Sequence, residues 1–137
     1  MSKHDMSRRT FIFGTAIMAA GCATTGKKAA KPRSVSANEK LNIAGVGAGG
    51  KGSSDIDGAA EAGGNNIVAL CDVDWHRAAE KFKKYPNAKQ YKDFREMLDK
   101  EKGIDAVTIS TPDHMHAPIT MRAMQQGLHV YTQKPLT

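Results

Sequence analysis

The chain has 137 residues, enough for one folded domain and too few for two of ordinary size. Its net charge is +6, but seven Lys or Arg residues and a single acid fall within residues 1–33, so this segment carries the whole excess. From residue 34 onward the charges balance, and one Trp, three Tyr and four Phe offer no basic and aromatic platform. The composition therefore argues against a nucleic-acid-binding protein, and two cysteines exclude a disulfide framework.

Residues 1–22 have the pattern of an export signal. Residues 7–12, SRRTFI, resemble the twin-arginine signal, and an apolar run too short to span a bilayer follows up to Ala20. The run ends in the sequence AAGC at residues 19–22, which resembles a lipobox, where cleavage leaves Cys22 at the N-terminus with a lipid attached. A cleaved soluble signal with an incidental cysteine is the alternative.

The leader and the residues after it predict where the protein works. Residues 23–38 are polar, basic and without periodicity, which is typical of a flexible linker. We therefore expect export by the twin-arginine machinery to the periplasm or cell envelope, and a membrane anchor through the lipid on Cys22.

Residues 41–72 have the layout of a dinucleotide-binding unit, namely a strand, a glycine turn, a helix and a second strand that ends in a carboxylate. In the pattern GxGxxG, Gly45 is predicted to allow the tight turn and Gly47 to let the backbone approach a pyrophosphate. Gly50 is predicted to let the helix pack on the strand. Asp72, 27 residues after Gly45, is placed to accept hydrogen bonds from a ribose.

Further helices and strands alternate after this unit. The apolar spacing predicts helices around Ile56, from Trp75 to Phe82, from Tyr91 to Leu98 and from Pro118 to Gly127, with strands at residues 67–71, 104–110 and 128–131. Trp75 is assigned to the core, Cys71 is predicted to be a small buried hydrophobe, and Asp74 is predicted to cap a helix. Four strands and four helices predict an α/β Rossmann-like doubly wound parallel sheet that is incomplete in this chain.

The motifs together resemble those of the glucose-fructose oxidoreductase, inositol dehydrogenase and MocA family (Gfo/Idh/MocA), over residues 39–137. The specific segments are GVGAGG at 45–50, CDVD at 71–74, TPDHMH at 111–116 and GLHVYTQKP at 127–135. The resemblance implies an NAD(P)-binding Rossmann domain and redox chemistry on sugars or cyclitols. It also implies a C-terminal substrate domain that this chain lacks, and we expect the full-length protein to be a homo-oligomer.

The resemblance also implies roles for individual residues. Lys134 matches a catalytic lysine beside the nicotinamide and the substrate hydroxyl, and Pro135 is expected to orient it, with a cis bond as one way of doing so. Gln133 stands where the family more often has glutamate, so any role that needs that charge is in doubt. The residues predicted to contact the cofactor are Gly45, Gly47, Ala48, Gly49, Gly50, Asp72, Thr111, Pro112, His116 and Gln133.

Two features bear on cofactor and metal. A carboxylate at Asp72 would repel a 2′-phosphate, and Val73 supplies no arginine in compensation, so NAD is predicted rather than NADP. His114 and His116 are two ligands without a third, so no metal site is predicted.

Three hypotheses for function follow. The first is an exported NAD-dependent oxidoreductase acting on a sugar or cyclitol hydroxyl, of which this chain is the N-terminal part and is inactive alone. The second is a glycoside hydrolase that retains NAD and works by transient oxidation and elimination, although the segment around Lys134 is expected to differ in such enzymes. The third is a nucleotide-binding fragment without catalysis.

Overall fold

The computed structural model describes residues 34–36 and 39–136. The predicted signal peptide, the Cys22 lipidation site and most of the predicted linker lie outside these residues. The strands are β1 (Asn42–Val46), β2 (Asn66–Cys71), β3 (Lys89–Tyr91), β4 (Ala106–Ile109) and β5 (His129–Thr132). The helices are α1 (Lys51–Glu61), α2 (Trp75–Lys84), α3 (Phe94–Lys100) and α4 (His116–Gln125), the last preceded by a 3₁₀ turn at Asp113–Met115.

The five strands of the described region form one sheet in the order β3-β2-β1-β4-β5, and every neighbouring pair is parallel. The first strand lies in the middle, and the chain runs outward from it first to one edge and then to the other. This is the arrangement predicted for a Rossmann-like α/β domain, and the fold class is confirmed. Because the strands are parallel, all five carboxyl ends and the loops that follow them lie at one edge of the sheet.

Side chains alternate across the strands and feed two apolar clusters. Ala69 and Cys71 of β2 belong to the larger cluster, whereas Leu70 between them belongs to the other. The larger cluster takes side chains from α3 and α4, and the smaller one from α1 and α2. None of the helices within residues 39–136 is long and apolar enough to cross a membrane.

The prediction of a helix from Tyr91 is wrong. Residues 89–91 pair with β2 as a fifth strand, and the helix begins at Phe94 with Asp93 accepting a hydrogen bond from the Arg95 N–H. Tyr91 packs against the larger cluster from the strand, so its spacing to Phe94 and Leu98 imitates a helical face. A three-residue edge strand held by backbone pairing leaves little trace in a hydrophobic pattern.

Predictions about three neighbouring residues have mixed outcomes. Cys71 is a buried residue, as predicted, and burial together with nearby acids raises the pKa of its thiol to about 12, so it is unreactive. Asp74 caps α2 by accepting a hydrogen bond from the Arg77 N–H, also as predicted. Trp75 was wrongly assigned to the core, because it lies at the first turn of α2 and is 41% exposed.

A buried ion pair joins α1 to α2. Lys81 is 4% exposed, and its ammonium lies 2.6 Å from a carboxylate oxygen of Asp57. The same carboxylate is held by Lys84 at 2.9 Å and by the hydroxyl of Tyr85 at 2.9 Å. Burial raises the pKa of Asp57, but the hydrogen bonds from its three partners lower it by more, so the pKa falls to about 2.

The ion pair predicts loss of stability in acid. A carboxyl whose pKa is lower in the folded protein stabilises the fold above its unfolded pKa, and this contribution of about 2 kcal/mol disappears as pH falls through about 2. We expect the free energy of unfolding, measured by urea denaturation, to decline between about pH 4 and pH 2. Asp57→Asn should make that decline shallower by the contribution of Asp57, and Glu80→Gln, which changes an exposed acid on α2, should leave it unchanged.

Candidate functional site

The glycine turn after β1 is built by two close approaches of the backbone. Gly47 has φ +82°, and a Cβ at this position would lie 2.7 Å from the carbonyl oxygen of Ser110. Gly52, in the first turn of α1, passes so close to Gly47 that a Cβ would lie 1.7 Å from its carbonyl oxygen. The N–H of Gly47 donates to the carbonyl of Cys71, which ties the turn to the end of β2. Only glycine fits at either position.

These contacts change the register of the predicted fingerprint. Gly45 lies inside β1, where its missing Cβ makes room for Ile56, so its assignment to the tight turn was wrong. The packing role predicted for Gly50 belongs to Gly52. The GxGxxG pattern of this protein therefore runs over residues 47–52, and Asp72 follows its first glycine by 25 residues. The sequence contains both registers, and the strand end at Val46 distinguishes them.

Asp72 connects the turn to β2. Its carboxylate accepts hydrogen bonds from the N–H of Gly49 at 2.8 Å and from the N–H of Asp74 at 2.9 Å. A carboxylate has about four acceptor positions, so it can also take the hydroxyls of a ribose. Among the described residues, no side chain caps the N-terminus of α1 and no acid lies in its first turn. The free N–H groups and the positive end of the helix dipole at this point favour a phosphate group.

Arg77 covers the same turn and was not singled out from the sequence. A Cβ on Gly49 would lie 2.8 Å from Cγ of Arg77, and a Cβ on Gly50 would lie 2.7 Å from its Nη2. The guanidinium therefore lies against the glycine turn from α2, next to the place favoured for a phosphate. Arg77 follows the predicted helix cap Asp74 by only three residues, and this spacing is a sequence signal that could have suggested its position near the turn.

The loop after β4 borders the turn on its other side. The hydroxyl of Thr111 is buried and has no hydrogen-bond partner within residues 39–136, so it is available to a bound molecule. Pro112 is exposed beside it. His116 is 1% exposed, and its ring nitrogens lie 2.8 Å from the carbonyl oxygen of Thr111 and 2.7 Å from that of Pro135. Both partners are carbonyl acceptors, so the ring nitrogen that carries a proton donates to the carbonyl facing it.

The contacts of His116 show what the ring does within the protein. It joins the loop after β4 to the segment after β5, and both nitrogens face backbone rather than open space. Its contact with a cofactor stays a prediction.

Hydrogen bonds hold the segment after β5 on both sides of Lys134, at Gln133 and at Pro135. The N–H of Gln133 donates to the carbonyl of Ile109 at 2.9 Å, and its side-chain amide donates to Asp55 at 2.9 Å. The peptide bond between Lys134 and Pro135 is cis. Lys134 itself is exposed, and its ammonium makes no hydrogen bond or ion pair with the part of the chain that the structure describes. A free lysine thus lies at the carboxyl edge of the sheet.

Taken together, the predicted residues that follow β1, β2, β4 and β5 lie at the carboxyl edge of the sheet, where the strand order reverses between β1 and β4. The crevice at such a point is where sheets of this kind bind their ligands. The glycine turn with Arg77 against it, the uncapped helix end, the unpartnered Thr111 hydroxyl and the carboxylate of Asp72 fit a dinucleotide. Gly45 is the exception, because it is buried within the sheet. Across residues 34–36 and 39–136, no three His, Cys, Asp or Glu side chains are grouped to hold a metal ion.

Comparison with known proteins decides the family. The profile of the oxidoreductase family with an NAD-binding Rossmann fold, Gfo/Idh/MocA, matches residues 41–137. The chain belongs to this family. Its described domain is therefore an NAD-binding Rossmann domain, and NAD is the cofactor that it binds.

Relatives in the Gfo/Idh/MocA family include several dehydrogenases. Inositol 2-dehydrogenase of Corynebacterium glutamicum is 31% identical over 101 residues, which are 73% of this chain and 30% of the relative. The crystal structure of myo-inositol dehydrogenase from Lactobacillus casei, in complex with NAD(H) and myo-inositol, superposes with a TM-score of 0.65 at 27% identity, over 72% of this chain and 30% of that one. The chain spans about a third or less of the length of these relatives.

One relative has a different activity. Alpha-N-acetylgalactosaminidase of Shewanella oneidensis is 28% identical over an alignment 158 positions long, which covers 97% of this chain and 34% of the relative. This alignment extends beyond the Gfo/Idh/MocA domain, whose profile begins at residue 41. Dehydrogenases and a glycosidase therefore share this domain.

Proposed function

We propose that this chain is the nucleotide-binding part of an exported, lipid-anchored oxidoreductase that uses NAD to oxidise a hydroxyl of a sugar or cyclitol. The observation that carries the proposal is the free, exposed Lys134, which lies between two anchored neighbours at the same edge of the sheet as the NAD-binding turn. Relatives named inositol dehydrogenases support the substrate class. We propose further that the natural protein continues into a substrate domain, since the matched region makes up only about 30% of the length of these relatives.

In this proposal, separate groups of residues bind the cofactor and transfer the proton. NAD, when bound, supplies the hydride acceptor. The turn at residues 47–52 and the N-terminus of α1 hold the pyrophosphate, and Asp72 holds the adenosine ribose. Lys134 accepts a hydrogen bond from the substrate hydroxyl when its amine is neutral, takes the proton as the carbonyl forms, and then releases it to water.

The test of the activity uses the full-length gene product, isolated from the membrane fraction of its source cells. A mass well above that of this chain, with a lipid on Cys22, supports the exported and anchored enzyme. We then expect NADH to form when NAD⁺ is added together with a cyclitol such as myo-inositol or a pyranose sugar. A mature product that ends at Thr137, or no NADH with any polyol of a broad panel, contradicts the proposal.

A second candidate function is glycoside hydrolysis with retained NAD, and the alignment with the alpha-N-acetylgalactosaminidase over 97% of the chain favours it. Oxidation, elimination of the glycosidic substituent, addition of water to the resulting double bond and re-reduction give net hydrolysis without accumulating NADH. Release of nitrophenol from a nitrophenyl N-acetylgalactosaminide, with no net NADH, would identify this reaction in place of the dehydrogenase.

The role of Asp72 predicts an effect on cofactor affinity. Asp72→Ala removes the acceptor for the ribose and for the N–H of Gly49, so we expect NAD⁺ binding to weaken at least about tenfold. Asp72→Ala should also lower the ratio of NAD⁺ affinity to NADP⁺ affinity, because the charge that repels a 2′-phosphate is lost. Titration calorimetry with both nucleotides measures each effect. Asp74→Ala, which removes a helix cap, is the control and should leave both affinities nearly unchanged.

A further inference from the structure

Asp55 is a buried carboxylate that the proposed mechanism does not use. It lies in the second turn of α1, and its side chain is 6% exposed. One oxygen accepts hydrogen bonds from the hydroxyl of Ser110 at 2.7 Å and from the amide of Gln133 at 2.9 Å. The other oxygen lies 2.6 Å from the ammonium of Lys51, which is mostly exposed. Three of the roughly four acceptor positions of this carboxylate are thus engaged by donors.

These donors require Asp55 to be ionised. Burial raises the pKa of the carboxyl, but the hydrogen bonds from Lys51, Ser110 and Gln133 outweigh it, and the net shift lowers the pKa below its usual value. A protonated carboxyl would offer a hydrogen in place of one acceptor position. The titratable groups near Asp55 are Lys51 on α1 itself, which is charged, and the phenol of Tyr131 on β5, which lies near Lys51.

The bonds of Asp55 join three parts of the crevice. Ser110 follows β4, Gln133 follows β5, and Asp55 belongs to the helix whose N-terminus faces the pyrophosphate site. Gln133 is the residue directly before Lys134, and His116 holds the carbonyl of Pro135 directly after it. The backbone of Lys134 is therefore fixed from both sides, by Asp55 through an amide and by His116 through a carbonyl.

We propose that Asp55 is a positioning residue, whose carboxylate holds Gln133 and thereby fixes the backbone of Lys134 at the crevice. In this role Asp55 supplies, from helix α1, the negative charge that a glutamate at position 133 would otherwise bring to the same place. Asp55 and Gln133 act as a matched pair, so that changing one requires a change in the other. The role of Lys134 in catalysis rests on the proposed function, but the positioning by Asp55 does not.

The first test is Gln133→Glu in the full-length protein, measured by backbone hydrogen exchange of peptides that cover residues 131–136. The substitution places a second carboxylate where the amide donor was, 2.9 Å from an oxygen of Asp55. Two carboxylates at this distance cannot both ionise without repulsion, so we expect protection of the segment to fall about tenfold at neutral pH. Near pH 5 a proton shared between the carboxylates at positions 55 and 133 restores a hydrogen bond, so the loss of protection should shrink to about twofold.

The second test is rescue. In the double variant Asp55→Asn with Gln133→Glu, the amide at position 55 donates to the carboxylate at position 133, and protection should return to within about twofold of the original. Asp99→Asn is the matched control, because Asp99 is an exposed carboxylate paired with Arg122, away from the crevice. When Asp99→Asn is combined with Gln133→Glu, protection of residues 131–136 should stay as low as in Gln133→Glu alone.

The outcomes separate this proposal from the proposed function. Loss in Gln133→Glu, recovery at low pH and rescue by Asp55→Asn together support the matched pair, whatever reaction the enzyme catalyses. Unchanged protection in Gln133→Glu, or equal rescue by Asp99→Asn, overturns it. Absence of polyol oxidation alongside full rescue would reject the dehydrogenase proposal and leave the positioning role intact.

Discussion

Replacing Gly52 by alanine is expected to lower the free energy of unfolding by about 3 kcal/mol. The new Cβ would lie 1.7 Å from the carbonyl oxygen of Gly47, an overlap with backbone that no side-chain rotation relieves. Either α1 moves away from β1 or the turn opens, and both changes remove the cradle for the pyrophosphate. Urea denaturation measures the stability, and titration with NAD⁺ should show that binding is lost together with it.

A second glycine of the same helix provides the control. Gly58 lies in the interior of α1, where a Cβ would meet none of the described atoms within 4 Å. Gly58→Ala should therefore raise the free energy of unfolding by about 0.5–1 kcal/mol, because alanine has less backbone freedom to lose in a helix. Opposite signs for two identical substitutions six residues apart would establish the contact with Gly47 as the cause. Wild-type stability of Gly52→Ala would contradict the structure of the turn.

Replacing Lys134 by alanine is expected to lower kcat of the full-length enzyme by about a hundredfold, which is within the range for loss of a general base. The dissociation constant for NAD⁺ should change by less than about twofold, because the lysine acts on the substrate hydroxyl rather than on the adenosine half. Steady-state kinetics with the best polyol and a separate NAD⁺ titration measure the two quantities.

Two further variants make the Lys134 experiment specific. Lys134→Arg introduces a side chain that stays protonated near neutral pH and cannot take the proton of the substrate hydroxyl, so it should fail to restore kcat. Lys102→Ala removes an exposed lysine that precedes β4, at the opposite edge of the sheet, and should leave kcat unchanged. Equal losses of kcat and NAD⁺ affinity in Lys134→Ala would instead identify a structural lysine.

The sequence predicts the fold well where a pattern is local. The buried strand that ends at Cys71, the cap at Asp74 and the parallel α/β order follow from runs and spacings of a few residues, and the structure confirms them. The strand at residues 89–91 was missed because its evidence is backbone pairing with β2. Trp75 was misplaced because helical spacing specifies a face of α2 but not whether its first turn is covered.

The candidate site shows a similar division. The sequence locates the glycine turn, but with glycine at positions 45, 47, 49, 50 and 52 it does not determine which three form the fingerprint. That depends on where β1 ends, and therefore on packing. Gln133 was interpreted as a lost charge, whereas the structure places the carboxylate of Asp55 beside it, 78 residues away along the chain. Contacts at such separations leave no signal in one sequence.

The central position of β1 also sets an order in which the crevice can assemble. Contacts between β1 and β2 span about 24 residues, those between β1 and the start of β4 about 63, and the bond from Asp55 to Gln133 spans 78. Closing longer loops costs more entropy, and a nascent chain emerges from its N-terminus first. The turn that receives the dinucleotide can therefore form while β5 is still being synthesised, and the segment that carries Lys134 docks after it. Cofactor binding would thus be acquired before catalytic competence.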